Sequence, residues 1–173
     1  MPFQVNDQVV HPRHGVGRVV RLVSREFQPG AVRMYYEIAL ANGTIWVPVE
    51  ERTGGLRQLT RKDEMGRYRG LLKSRPRPLS SDHRQRQLEI MDRLQPGTLR
   101  ARCEVVRDLA AMGWGKPLNE GSAALLRSVN DVLQEEWAAA CGLPLSSAAQ
   151  EVQDLLQEGR RAHNKPGPEL PGR

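Results

Sequence analysis

A change of hydrophobic period near residue 56 constrains this chain most. Before it, apolar side chains come in short β-branched runs; after it they recur every three to four residues. Val5, Val9 and Val10 lead into His11-Pro12, and Val16 to Val23 forms a second run interrupted by Arg18 and Arg21. Arg33 to Leu40 and Thr44 to Val49 supply a third and a fourth. Such residues suit a pleated, half-buried surface, because branching at Cβ stiffens the side chain in the extended form. Phe27-Gln28-Pro29-Gly30 marks one reversal, and Asn42-Gly43 predicts a type I′ hairpin with positive φ at both central residues. Gly15 and Gly17 bracket the second strand's start, where a small barrel needs a tight bend.

The remainder reads as helices. Thr60 with Asp63 three residues on resembles a capping box, which predicts a helix to about Lys73. Arg75-Pro76-Arg77-Pro78 then forces an extended basic link, since proline disfavours helix at its own and the preceding position. Ser80, Ser81 or Asp82 can cap the next helix, in which Leu88, Met91 and Leu94 share one apolar face before Gln95-Pro96-Gly97 breaks it. Leu99, Cys103, Val106 and Leu109 line another helix, ending near Gly113-Trp114-Gly115. Asn119 can cap a longer one with Leu125, Leu126, Val129, Val132, Leu133 and Trp137 inward. Gly142 and Pro144 end it, Ser146 or Ser147 caps a last helix through Leu155 and Leu156, and Gly159 stops that. The expected class is α+β: a small antiparallel SH3- or Tudor-like β-barrel, then an all-α part of about four to five helices. The expected divisions are a barrel over residues 1–58, a connecting helix and basic proline-rich link over 59–79, helices over 80–159, and a disordered tail over 160–173.

Charge narrows the class of partner. Of 173 residues, 26 are Lys or Arg and 20 Asp or Glu, a net charge of +6, and the excess is local. Residues 71–102 carry eight basic side chains against three acidic, whereas residues 103–140 carry three against six. Clustered arginines can be a solvated face, or can meet a phosphate backbone through counterion release. No apolar run approaches the roughly 18–20 residues that span a bilayer, and no basic start precedes an apolar stretch, so a membrane span and a secretory leader are not expected. Cys103 and Cys141 are not a Cys-x-x-Cys pair, and the four histidines are scattered, so neither a zinc ribbon nor another metal site is expected. Gly15-Val16-Gly17 lacks the further residues of a phosphate loop. No nucleophile sits beside a base, so neither an enzyme nor a cofactor is expected. A soluble cytoplasmic protein is the expectation.

Phe3-Gln4-Val5-Asn6-Asp7-Gln8-Val9-Val10-His11-Pro12, followed by His14-Gly15-Val16-Gly17-Arg18-Val19, resembles the opening of the CarD/CdnL family of bacterial transcription regulators. Val47-Pro48-Val49-Glu50 with Gly55-Leu56-Arg57 resembles its next signature, and Glu104-Val105-Val106-Arg107-Asp108-Leu109 its helical motif. The resemblance implies a non-enzymatic protein whose amino-terminal module docks on the RNA polymerase β subunit through a strand edge. It also implies that the helical domain touches promoter DNA at the upstream edge of the bubble and stabilises the open complex. The implied polymerase contacts fall on Arg25 and Trp46. Alternation puts Trp46 on the face opposite Ile45 and Val47, where an exposed aromatic can serve an interface, with core packing as the competing role.

One departure bears on the DNA contact. The family's wedge tryptophan, at the start of a helix, corresponds here to His83, and Arg84-Gln85-Arg86-Gln87 keeps two arginines without the aromatic that normally follows. At 100° per residue Arg86 and Arg93 lie about 20° apart with His83 beside them, a candidate minor-groove- or phosphate-facing ridge, and Arg84 is the fourth candidate DNA contact. A surface helix with a capping histidine is the alternative. The expected DNA contact is sequence-independent, since no helix offers an array of base-reading Asn, Gln and Arg. A second class of function remains, because Val5 to Val19 also resembles the KOW pattern of RNA- or ribosome-associated modules. A monomer, associated with the nucleoid through polymerase, is the expected state.

Overall fold

A computed structural model describes residues 3–50 and 55–164. Five strands, β1 (Gln8–His11), β2 (Gly15–Gln28), β3 (Ala31–Leu40), β4 (Gly43–Pro48) and β5 (Arg57–Gln58), form one antiparallel sheet in the order β4-β3-β2-β1-β5. Five α-helices follow: α1 (Met65–Lys73), α2 (His83–Leu94), α3 (Leu99–Met112), α4 (Glu120–Cys141) and α5 (Leu145–His163). The class is α+β. The sheet is open, ending in β4 on one side and the two-residue β5 on the other, in an arrangement compatible with a barrel-like Tudor fold.

The sheet's inner face buries Phe3, Val9, Val19, Tyr36, Ile38, Val47 and Leu56, and the Phe3 ring meets Tyr36 edge-on. Gly17 is required by this packing, since a Cβ there would lie 2.5 Å from Ile38. The second strand extends well past Val23, to Gln28, and Pro29-Gly30 turns it with Gly30 at φ +79°, as that dipeptide predicts. The β3–β4 hairpin departs from expectation. Leu40 pairs with Gly43, so its two loop residues are Ala41 and Asn42, and neither Asn42 nor Gly43 has positive φ.

A register shift between Val19 and Arg21 decides which side chains face outward. Val19 pairs with Ile38 but Arg21 pairs with Glu37, so Val20 is the extra residue. Because side chains alternate strictly, one inserted residue exchanges the two faces downstream of it. Arg21, Val23 and Arg25 therefore lie opposite the core, in register with the outer face of β3.

The helices bury a second cluster, centred on Met65, Leu72, Ile90, Cys103, Val106, Leu109, Leu133 and Trp137. Asp82 caps α2 by accepting from the Arg84 and Gln85 N–H groups, Asn119 caps α4 through Ser122, and Gly142 ends α4 in the left-handed conformation at φ +66°. Three boundaries differ from expectation. Thr60 is buried, and a turn of 3-10 helix over Lys62–Glu64 leads into α1, with Glu64 accepting from the Arg61 N–H at 3.2 Å. Pro144, not Ser146 or Ser147, precedes the first turn of α5. Gly159 does not stop α5, which runs to His163. It lets α5 cross α1 closely, since a Cβ would sit 3.2 Å from both Cα and carbonyl oxygen of Lys73. Residues 160–163 are thus helical, and 165–173 lie outside the described residues.

Candidate binding surfaces

Arg25 and Trp46 are brought together. Glu37 on β3 pairs with Arg21 on β2 and Trp46 on β4, giving a row across three strands on the sheet's outer face. Arg21 donates to Glu37 at 2.5 and 3.2 Å, and the Trp46 indole N–H donates to Glu37 Oε1 at 3.1 Å. The Arg21 hydrogen bond, with smaller help from its charge, Trp46 and Arg25, holds the Glu37 carboxyl below the usual carboxylate range against the opposing effect of burial. The Arg25 guanidinium lies 5.3 Å from the Trp46 ring centroid, within cation–π range. Phe27 flanks them, 6.3 Å from Trp46 and 4.9 Å from Tyr35. Trp46 is 37% exposed and Phe27 58% exposed, so this is a half-open aromatic patch with a cation over it. Trp46 belongs to β4, an edge strand.

The family resemblance singled out Trp46, and alternation placed it on the outer face. Neither found Phe27, Tyr35 and Glu37 as its neighbours, because that needs the pairing register and the irregularity at Val20. Strict alternation from Val19 would have put Arg21 and Arg25 in the core.

On α2 the structure divides the four candidate residues. His83 and Arg84 are exposed in the first turn, whose Arg84 and Gln85 N–H groups are already taken by the Asp82 carboxylate, so any anion there would meet the side chains rather than the backbone. Arg86 and Arg93 do not form an outward ridge. Arg86 is only 4% exposed, and its guanidinium donates to the Ser80 and Ser81 carbonyls and the Ser122 hydroxyl, and lies 3.2 Å from His83 Nδ1. Arg93 donates to Asp108 Oδ2 at 2.9 Å and lies 3.6 Å from Glu104. The angular relation between them was right, but the face they share points inward with Ile90. Leu88 and Met91, expected on a shared apolar face with the half-buried Leu94, are instead 62% and 57% exposed. An arginine-lined inner face was illegible because helical periodicity assumes that apolar residues mark the core; what stabilises Arg86 is two carbonyls of the segment leading into α2 and a hydroxyl from α4.

The motif at residues 104–109 explains part of this arrangement. Val105, Val106 and Leu109 are core residues, and the buried Asp108 accepts from Arg93, from Arg107 at 2.8 Å and from the Arg77 backbone N–H at 2.9 Å. One carboxylate thereby fixes both the proline-rich link and α2 to α3.

The sheet and helices are joined by a second arginine cluster. Arg57, on β5, donates to both carboxylate oxygens of the fully buried Glu136 and to the Gly97 carbonyl. Arg102 donates to the Pro12 carbonyl at 3.1 Å. His11, between these parts, has its pKa lowered by burial and then by the charges of His14 and Arg13. No group of three or more His, Cys, Asp or Glu side chains suits a metal among the described residues. Burial pushes the Cys103 thiol well above its ordinary range. No described helix is long and apolar enough to cross a membrane.

A small open sheet carrying an exposed aromatic–arginine patch, fixed to a five-helix bundle with a basic flank, has the design of a binding module. Residues 3–60 match the family model described as the CarD-like/TRCF RID domain, and residues 69–153 match that of the CarD C-terminal domain. The chain belongs to the CarD family, whose members are transcription factors of the RNA polymerase-interacting kind. It is also 24% identical, over 143 residues, to the Bacillus subtilis (strain 168) protein named "Putative transcription factor YdeB", an alignment covering 82% of this chain and 94% of that one.

Proposed function

We propose that this protein binds the RNA polymerase β subunit through the outer face and β4 edge of its sheet, and stabilises promoter open complexes through its helices. Arg25 and Trp46 are the central β-subunit contacts. The observation that carries this reading is their stacking, 21 positions apart in sequence, on an exposed face beside an unpaired strand edge. An edge strand can pair with a partner's strand through backbone groups while side chains beside it select the partner. Aromatic and arginine residues are also those that carry most binding energy at interfaces.

DNA contact belongs to the exposed start of α2. His83 presents the ring and Arg84 the phosphate-binding charge, while Arg86 and Arg93 hold the helix end in place through the bonds described above. Contact at the bubble edge is sequence-independent, because Arg84 reaches phosphate and the imidazole offers no base code. Imidazole covers less area than an indole, so the wedge is weaker than the family's tryptophan would give. Association with polymerase places the protein on the nucleoid, and tethering lets a weak DNA contact suffice.

The test is open-complex lifetime with purified polymerase. His83→Trp lengthens it, His83→Ala shortens it, and Arg84→Glu shortens it most at low salt. Lifetimes indifferent to all three would sink the DNA part of the proposal.

A further inference from the structure

The basic link expected from Arg75-Pro76-Arg77-Pro78 is not absorbed by the surfaces above. It lines a groove of about 520 Å³ with Leu79, Ala111 and Met112 at the end of α3, Trp114 in the turn that follows, and His163 at the end of α5. Arg75 and Arg77 are exposed, and neither side chain makes an ion pair with a described residue. The carboxylate in the groove, Asp108, is buried and already neutralised by Arg93 and Arg107. Arg160 reaches the Trp114 carbonyl at 3.4 Å, and His163 lies 3.2 Å from the Lys73 carbonyl. Lys73, at the end of α1, is 3.6 Å from Glu158, which offsets its charge.

The groove therefore has two chemistries. Its rim carries unpaired guanidinium groups, while its floor is proline, methionine and a half-buried indole. A duplex backbone could use the rim but would leave the floor without a role. An unstacked nucleotide uses both, placing phosphate on arginine and base on the aromatic surface. A volume of this size admits one small ligand group rather than a helix. From these features we infer that the groove formed by residues 75–79, Trp114 and His163 is a binding site for single-stranded DNA. The inference rests on the reading that the protein works on melted promoters, and extends it from the bubble edge to an unpaired strand. The extended segment 74–82 leads directly from the groove to His83 and Arg84 at the start of α2, so the two sites are continuous along the chain.

The experiment uses the full chain without polymerase, with fluorescent 15-nucleotide oligo(dT) and a 15-base-pair duplex as probes at low salt. Arg75→Glu with Arg77→Glu weakens oligo(dT) binding and lowers the steepness of its salt dependence by roughly one unit in the log–log slope. Trp114→Ala weakens it by about tenfold, and Trp114→Phe restores most of the loss because a ring is still present to stack. Arg84→Glu weakens the duplex more than the single strand. Circular dichroism of each variant separates lost binding from lost folding, and both rim arginines are exposed. Oligo(dT) binding unaffected by the rim double variant, or absent while duplex binding persists, overturns the groove assignment and leaves the proposed function standing. Loss of duplex affinity on substituting the rim, with none for the single strand, also overturns it.

Discussion

Replacing Arg57 by alanine removes the partner of a carboxylate that is fully buried. Glu136 has no exposed side-chain surface, whereas the Arg57 side chain is 24% exposed, so the two ends of the pair are unequal. Without Arg57, Glu136 keeps only the Thr60 hydroxyl at 3.5 Å and the more distant charge of Arg102. Breaking a buried pair at one end costs about 3–5 kcal/mol, because the remaining charge is left desolvated. The nearby Arg102, which has a buried nitrogen without a hydrogen-bond partner, moves the expectation to the lower end, about 3 kcal/mol. Glu136→Gln is milder at about 1.5–3 kcal/mol, since Arg57 still donates to Gly97 and can turn toward water. Replacing both with methionine recovers most of the loss, as packed apolar pairs commonly match buried ion pairs. Urea unfolding of the full chain measures all three. An Arg57→Ala loss below about 1 kcal/mol, or a larger loss for Glu136→Gln than for Arg57→Ala, would refute the reasoning.

Gly159→Ala forces α5 away from Lys73 and Leu72 and lowers stability by about 1–3 kcal/mol, read as a drop in thermal midpoint; an unchanged midpoint contradicts the close crossing. His11 is held below its ordinary value of 6.5 by burial, His14 and Arg13, so the folded state takes up a proton less readily than the unfolded one. The associated stability is present above pH 6.5 and falls as the pH drops below it. His11→Asn flattens that part of the stability profile, which unfolding midpoints from pH 7.5 to 5 would show. Protonation at Nδ1 would also remove its acceptance from the Arg13 and His14 N–H groups. Arg86→Met leaves the Ser80 and Ser81 carbonyls and the Ser122 hydroxyl without their donor and costs about 1–3 kcal/mol, while Arg84→Met has little effect on stability; equal effects would contradict their opposite placements.

What the sequence made legible follows from what periodicity can report. The turn at Pro29-Gly30, the caps at Asp82 and Asn119, the stop at Gly142 and the inward Val129, Leu133 and Trp137 are local signals, and each is found in place. Gly159 was misread because a helical glycine looks the same in sequence whether it ends a helix or admits a neighbour. The inward faces of Arg86 and Arg93 depend on acceptors from residues 80, 81, 108 and 122, and no local rule counts those. At the sheet surface, the position of Trp46 followed from alternation. Its meeting with Arg25 required the extra residue at Val20, which carries no turn signal.

The central claim is that the outer sheet face binds polymerase, and affinity of the full chain for the isolated β subunit tests it most directly. Trp46→Ala removes an indole from the centre of the patch and should cost about 2 kcal/mol, roughly a thirtyfold rise in Kd. Arg25→Glu should weaken binding in the same direction, while the exposed Arg84→Glu, on the helical side, should leave it unchanged. Affinity for the β subunit that is the same for wild type, Trp46→Ala and Arg25→Glu would contradict the account.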